Sequence, residues 1–441
     1  MTQQQKKNGS IIAIITMMFL YAMIGFVTNL AAPIGNVMKY DPEVGDSNFL
    51  AMMGNFMNFL AYLLLGIPAG KILSKKGYKK TAMLGVALGF IGILVQFISG
   101  FEAFEGYSDN ILYLIGAFIA GMSVCLLNTV VNPMLNLLGG GGKRGNQLNM
   151  IGGTFNSLAA TIAPILVGAL IGEVTNTTDF VDINIALYIA MAIFAATFVI
   201  LAIIPIEQPE IGKITSSTKF EHSPWKFRHF VLGAIGVFIY VGIEVGIPST
   251  LNNYLSDATS TGGGLTEENA KIVGGMVYGM FMLMMLIGRI FGGSIANKVS
   301  SKNMLVFTSV VGILLIATAI FIPKTITTSM PFFKSETGSF MIETVPFSAL
   351  LLIMCGLCTS VMWPCIFNLA TEGLGKYTVP ASGIFMMMVF GGGVLPQIQS
   401  AIADSTLGYM ISYIVPMLGL AYLLYYAIIG CKNVNTDIPV E

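Results

Sequence analysis

Twelve apolar runs, each long enough to cross ~30 Å of hydrocarbon as a helix, leave this chain one class of fold. They cover residues 11–38, 48–73, 79–100, 109–138, 147–172, 183–205, 228–255, 268–296, 304–323, 345–371, 379–403 and 407–430. With 55% hydrophobic and only 10% charged residues over 441 positions, the apolar surface exceeds what a soluble core could bury. A segment in lipid must satisfy its own backbone, which for runs of this kind means helices. The sequence predicts an all-α membrane protein of twelve transmembrane helices, with the lipid bilayer as its surroundings.

Charge then orients the chain. An even number of spans puts both ends on one side, and alternate loops divide 17 Lys and Arg from 4, with Arg289 left inside the eighth run. The crowded set includes Lys6, Lys7, Lys71, Lys75, Lys76, Lys79 and Lys80, so by the positive-inside rule both termini are expected in the cytoplasm. The polar stretch before the first run lacks a small-residue cleavage site after its apolar segment, and reads as leading into a retained first helix. Zero net charge offers nothing to nucleic acid. Cys355 and Cys358 form a C-x-x-C inside an apolar run without nearby His or acidic ligands, so neither a metal nor a redox site is expected. A monomer without a resident cofactor is the expectation.

The pattern repeats at half the chain length. Placing Gly70 on Gly293 also places Ile72 on Ile295, Lys75 on Lys298 and Lys79 on Lys302, an offset of 223 residues. In the first run Asn29 stands four residues before Pro33, and in the seventh Glu244 stands four before Pro248. A duplicated six-helix unit follows, with halves at 1–206 and 228–441 and a cytoplasmic linker at 207–227 where polar residues interrupt the apolar pattern. His222 and His229, at the end of that linker, read as solvated interface residues.

Within the spans, polar residues carry the functional expectation. Glu244 lies in the middle of an apolar run, where a charged group costs roughly 2.5 kcal/mol or more and is a functional candidate by default. Pro248 removes the helical donor to the Glu244 carbonyl, so one turn offers a carboxylate and a spare carbonyl together. Asn128, Asn132 and Asn136 recur every four residues on one helix face, and Asn149 and Asn156 stand seven apart on the next. Amides that both donate and accept suit hydroxyl-rich ligands. Tyr240 shares the Glu244 face, Trp363 precedes Pro364 in mid-helix, and Gln397 follows a glycine run and Pro396. An indole face can stack on the apolar face of a pyranose. Arg289 and Glu372 read as a gating or structural ion pair near the cytoplasmic ends of their helices, and Lys75 and Lys79 as gating residues of the repeated loop.

The motifs resemble a known family. Ile67-Pro-Ala-Gly-Lys-Ile-Leu-Ser-Lys-Lys-Gly-Tyr-Lys79, Asn132-Pro133, Leu148-Asn149, Thr154-Phe-Asn-Ser157, Tyr240-Val-Gly-Ile-Glu-Val245, Trp363-Pro364, Asn368-Leu-Ala370, Gly373-Leu-Gly375 and Gly391-Gly-Gly393 are similar to motifs of the major facilitator superfamily, fucose:proton symporter family. The resemblance runs from helix 1 to helix 11. It implies the two-half fold and import of a neutral monosaccharide of fucose, glucose or galactose type by cation symport across a bacterial inner membrane. Substrate contacts would come from Asn29, Asn128, Asn132, Asn156, Tyr240, Trp363 and Gln397, with Glu244 at the coupling cation, H+ or Na+. The alternative within the fold is an exporter of drugs or other amphipaths. An enzyme is not expected, because no convergent catalytic set lies in the membrane. The chain departs from the family's pattern in four places. Ser74 stands where the repeated loop usually has an acid, the acids of helices 1 and 4 fall near Ala31 or Ala32 and at Asn128, and a helix 5 glutamine falls at Gly153.

Overall fold

The computed structural model describes residues 3–40, 52–101, 107–139, 142–171, 183–204, 222–296, 298–334, 339–435 and 437–438. The residues between the sixth and seventh runs fall outside this set up to position 221, so most of the expected linker lies outside the described residues. The apolar runs form helices α1 (Gln3–Tyr40), α2 (Met53–Leu73), α3 (Lys75–Ser99), α4 (Tyr107–Leu138), α5 (Gly142–Ile171) and α6 (Asn184–Ile203). After the short 3-10 turn Pro224–Lys226 come α7 (Arg228–Ser256), α8 (Glu267–Ile295), α9 (Ser301–Phe321), α10 (Phe347–Thr371), α11 (Pro380–Ala403) and α12 (Gly408–Gly430). α2 and α3 run on from one another, and the chain kinks in the first turn of α3 at Gly77, whose φ of 76° is a left-handed backbone that glycine adopts without a Cβ penalty.

Several helices break where the sequence demands it. α10 consists of Phe347–Thr359 and Met362–Thr371, joined at Ser360-Val361. Pro364 has no N–H for the Ser360 carbonyl, and the bend turns the face bearing Trp363. α11 likewise breaks after Met388 and resumes at Gly391.

Glycines set the helix crossings, because in lipid close backbone approach replaces the hydrophobic effect as the association force. A Cβ on Gly121 of α4 would run into the backbone of Asn58 in α2, and one on Gly356 of α10 into the backbone carbonyl of Phe281 in α8. Asn58 and Phe281 are separated by the same 223 residues as Gly70 and Gly293. The repeat seen in the loops is therefore also a repeat of backbone packing.

One element departs from pure helix. Between α9 and α10, β1 (Thr327–Lys334) and β2 (Ser339–Pro346) form an antiparallel hairpin, with Thr327 opposite Pro346 and Phe332 opposite Met341. The apolar run placed at 345–371 thus begins in a strand, and its helix starts at Phe347. The hairpin is pinned to α8 by Asn269 Nδ2 donating to Glu343 Oε1 at 2.8 Å.

His229 corrects the expectation of a solvated histidine. It is fully buried at the start of α7, with Nε2 2.9 Å from the Glu372 carbonyl oxygen, while Tyr426 donates to the His229 carbonyl. Its ring lies on the α7 face that packs against α10 and α12, a tertiary fact that linker polarity does not carry.

Candidate functional site

A cavity of about 200 Å³ opens in the centre of the bundle, lined by helices from both halves of the chain. Each helix contributes a stripe at helical spacing. From α1 come Tyr21, Gly25 and Asn29, from α4 Asn128 and Asn132, from α5 Asn149, Gly153 and Asn156, and from α7 Tyr240 and Glu244. α8 adds Met282, Met285 and Arg289, and the bent segment of α10 adds Ser360, Trp363 and Phe367. These intervals of three, four and seven residues keep side chains on one face.

The amides are held in place by tyrosine hydroxyls and backbone carbonyls. Tyr21 donates its hydroxyl to Asn132 Oδ1 at 2.5 Å, and Asn132 Nδ2 donates to the Asn128 carbonyl at 2.9 Å. Asn128 Nδ2 donates to Tyr62 Oη at 2.8 Å, and Asn156 Nδ2 to the Tyr21 carbonyl at 3.1 Å. Gly25 makes the last bond possible, since a Cβ there would strike the Asn156 backbone. Asn29 turns its amide back onto the Gly25 carbonyl at 2.7 Å. Asn149 Oδ1 is buried at the cavity wall without a protein partner among the described residues. A buried amide oxygen left unpaired costs about 1–3 kcal/mol, so a bound polar group there is favoured.

Charge in the cavity comes from two residues. Arg289 Nη2 lies 3.5 Å from Glu244 Oε1, while its Nη1 donates to the Gly153 carbonyl at 2.5 Å and to Ser157 Oγ at 2.6 Å. This corrects the expected pairing of Arg289 with Glu372. Arg289 follows Met282 and Met285 at seven and four residues and so shares their cavity face, roughly 9 Å inside the end of α8 at Ile295. Glu372 ends α10 as an exposed residue. The remaining charge is thus balanced across α7 and α8. Opposite it, Trp363 and Tyr240 pack with ring centroids 6.1 Å apart and planes at 50°, an aromatic wall next to the carboxylate.

Other expected site residues fall elsewhere. Gln397 is buried against α2, its Nε2 3.6 Å from Met53 Sδ, and does not line the cavity. It stands in the Gly391–Ala403 segment of α11, past the break, whereas cavity-lining Met386 lies in the segment before it. Gln397→Ala should leave the KM for transport within about twofold of wild type, read from initial uptake rates. Lys79 donates to the carbonyls of Ala202 and Ile204 at 3.0 and 2.9 Å. It caps the carbonyl-rich end of α6, where a cation is favoured, rather than reaching the other half. Lys75 is exposed. The side chains of Asn136 and Ser74 lie outside the described residues.

Tyr21, Tyr62 and Ser157 were not singled out from the sequence, yet each holds a cavity group in place. Asn55, Asn58 and Tyr62 form a polar stripe at intervals of three and four in an otherwise apolar run, the one signal that could have revealed Tyr62.

The comparisons with known proteins agree with this architecture. The chain matches the Major Facilitator Superfamily over residues 12–396. It is 31% identical over 438 residues to a glucose/galactose transporter of Brucella abortus, covering 98% of this chain and 97% of that protein. The L-fucose-proton symporter of Escherichia coli is 21% identical over 439 residues, covering 93% and 91% of the two chains. In structure, the chain is similar to the Escherichia coli fucose:proton symporter with a TM-score of 0.71 at 19% identity, covering 95% of this chain and 98% of that one. A bacterial homologue of the iron transporter ferroportin shares the fold at a TM-score of 0.67 and 12% identity, with 94% and 98% covered. On its sequence match, its full-length relatives and its two-half helical fold, the chain belongs to the major facilitator superfamily.

Proposed function

We propose that the chain imports a neutral monosaccharide of glucose, galactose or fucose type by cation symport, with the central cavity as its alternating-access site. The observation that carries this reading is the cavity's combination of fixed amides, an aromatic wall and a charge pair internal to the protein. Fixed amides recognise hydroxyls through both donors and acceptors, and the Trp363 face suits the C–H face of a pyranose. Because Glu244 sits opposite Arg289, the cavity offers no net charge to a ligand, which favours a neutral one. The relatives named glucose/galactose transporter and L-fucose-proton symporter support the same substrate class. Drug-sized pockets run ~300–1,000 Å³, and a cavity of about 200 Å³ suits a monosaccharide better than an amphipathic drug.

Within this reading Glu244 takes the coupling cation, and Asn128, Asn132, Asn149, Asn156, Tyr240 and Trp363 contact the sugar. Asn29 lines the same cavity and completes the sugar side. The protein works as a monomer in a bacterial inner membrane with both termini cytoplasmic, as the distribution of Lys and Arg argues. The α2–α3 and α8–α9 turns then face the cytoplasm.

Tryptophan fluorescence gives a binding test. The chain has two Trp, and Trp225 is exposed before α7. In a Trp225→Phe background the emission reports on Trp363 alone. Glucose, galactose or fucose should change it saturably, and no response to any monosaccharide would count against the reading. Trp363→Ala should raise the KM for sugar exchange about three- to tenfold with a smaller change in kcat, from the ~0.5–1.5 kcal/mol of an aromatic contact.

A further inference from the structure

We propose that Arg289 is a tether between the two halves of the fold and that the charge on Glu244 sets how tightly the tether holds. This rests on the reading of Glu244 as the coupling site. The tether is a fork. One guanidinium nitrogen of α8 donates to two acceptors on consecutive turns of α5, the Gly153 carbonyl at 2.5 Å and Ser157 Oγ at 2.6 Å. The other nitrogen reaches Glu244 on α7 at the longer distance of 3.5 Å. α5 belongs to the first six helices, and α7 and α8 to the last six, so the guanidinium is shared between its own half and the opposite one.

Gly153 makes the arrangement possible. A Cβ there would lie 3.5 Å from Arg289 Nη1, in ordinary contact, and any longer side chain would occupy the guanidinium's place. The planar fork of arginine fits acceptors on three helix turns, which a single ammonium cannot do.

The two sets of acceptors compete for one cation. Ionised Glu244 draws the guanidinium toward α7 and weakens its hold on α5. Neutralised by the coupling cation, Glu244 releases Arg289 to the Gly153 carbonyl and Ser157, and α5 is held against α8. A carrier loaded with cation alone is then locked on the α5–α8 seam. A sugar that takes up Ser157 or the guanidinium in its own hydrogen bonds unlocks it, and the empty carrier, with Glu244 ionised, is free to return. Those are the states a symporter must allow and forbid to avoid leaking its driving ion.

Backbone hydrogen exchange of the full-length protein in lipid nanodiscs, without sugar, tests this. It reads the opening of a helix segment directly. Glu244→Gln, a fixed neutral side chain, should raise the protection of amides 150–160 about threefold or more, because Arg289 goes wholly to α5. Arg289→Lys should lower it about fivefold, and Ser157→Ala, which removes one acceptor and keeps the guanidinium, about twofold. Should Arg289→Lys fail to fold, the opposite signs of Glu244→Gln and Ser157→Ala decide the matter. Unchanged protection in Glu244→Gln, or a fall like that of Arg289→Lys, would overturn the proposal, since the pair would then only brace the bundle. No sugar enters the measurement, so a failure of monosaccharide transport would leave this result standing, and the reverse.

Discussion

Glu244→Gln should abolish accumulation while sparing exchange. One positive charge carried with each sugar draws ~2.3 kcal/mol from a 100 mV potential, enough for about 40-fold accumulation at equilibrium. In proteoliposomes the wild type should approach that ratio, and Glu244→Gln should show no accumulation above the external concentration. Exchange of internal for external sugar needs no net movement of the coupling ion, so it should persist at a third or more of the wild-type rate. Folding should survive, because glutamine is nearly isosteric and Arg289 keeps both acceptors on α5. The physical ground is position. Glu244 lines the cavity with 21% of its side chain exposed, and it faces a cation from a different helix. Wild-type accumulation in Glu244→Gln would remove it from the coupling step.

Gly121→Leu should strongly destabilise the bundle. The backbone of Asn58 occupies the place a Cβ would need, and backbone cannot move aside as a flexible side chain does. Overpacking costs typically ~1–3 kcal/mol and more where neighbours are rigid, which for a domain of ordinary size means a Tm lower by on the order of 10 °C. The variant should extract from membranes as aggregate rather than as a monodisperse species. Gly236 is the control. A Cβ there meets Ile366 and Leu423 side chains at 3.5 Å, an ordinary contact, so Gly236→Ala should keep or raise Tm through the ~1 kcal/mol helix preference of alanine. Equal Tm for Gly121→Leu and the wild type would mean that close backbone approach does not set the α2–α4 crossing.

Much of this architecture is written in one-dimensional patterns. Run length gives the helices, the 223-residue offset gives the repeat, and Asn128 with Asn132 at a four-residue interval gives a common face that does line the cavity. Periodicity reports direction around a helix and is weak on depth and partners. Gln397 lies past the break in its helix and packs against Met53 of α2. Arg289 was placed on the correct helix, but its partners Glu244, Gly153 and Ser157 come from 45, 136 and 132 residues away, separations that no local pattern encodes. The hairpin is not legible in span-length apolar runs because β1 and most of β2 lie between the runs 304–323 and 345–371.

Transport of a neutral monosaccharide against its gradient at the expense of a cation gradient is what this cavity should perform. Purified protein in proteoliposomes, offered labelled glucose, galactose and fucose with proton and sodium gradients imposed separately, should accumulate at least one of these sugars above its external concentration under one of the two gradients, and lose it when that gradient is dissipated. Uptake of none of the sugars under either gradient, by protein that remains monodisperse, would contradict it.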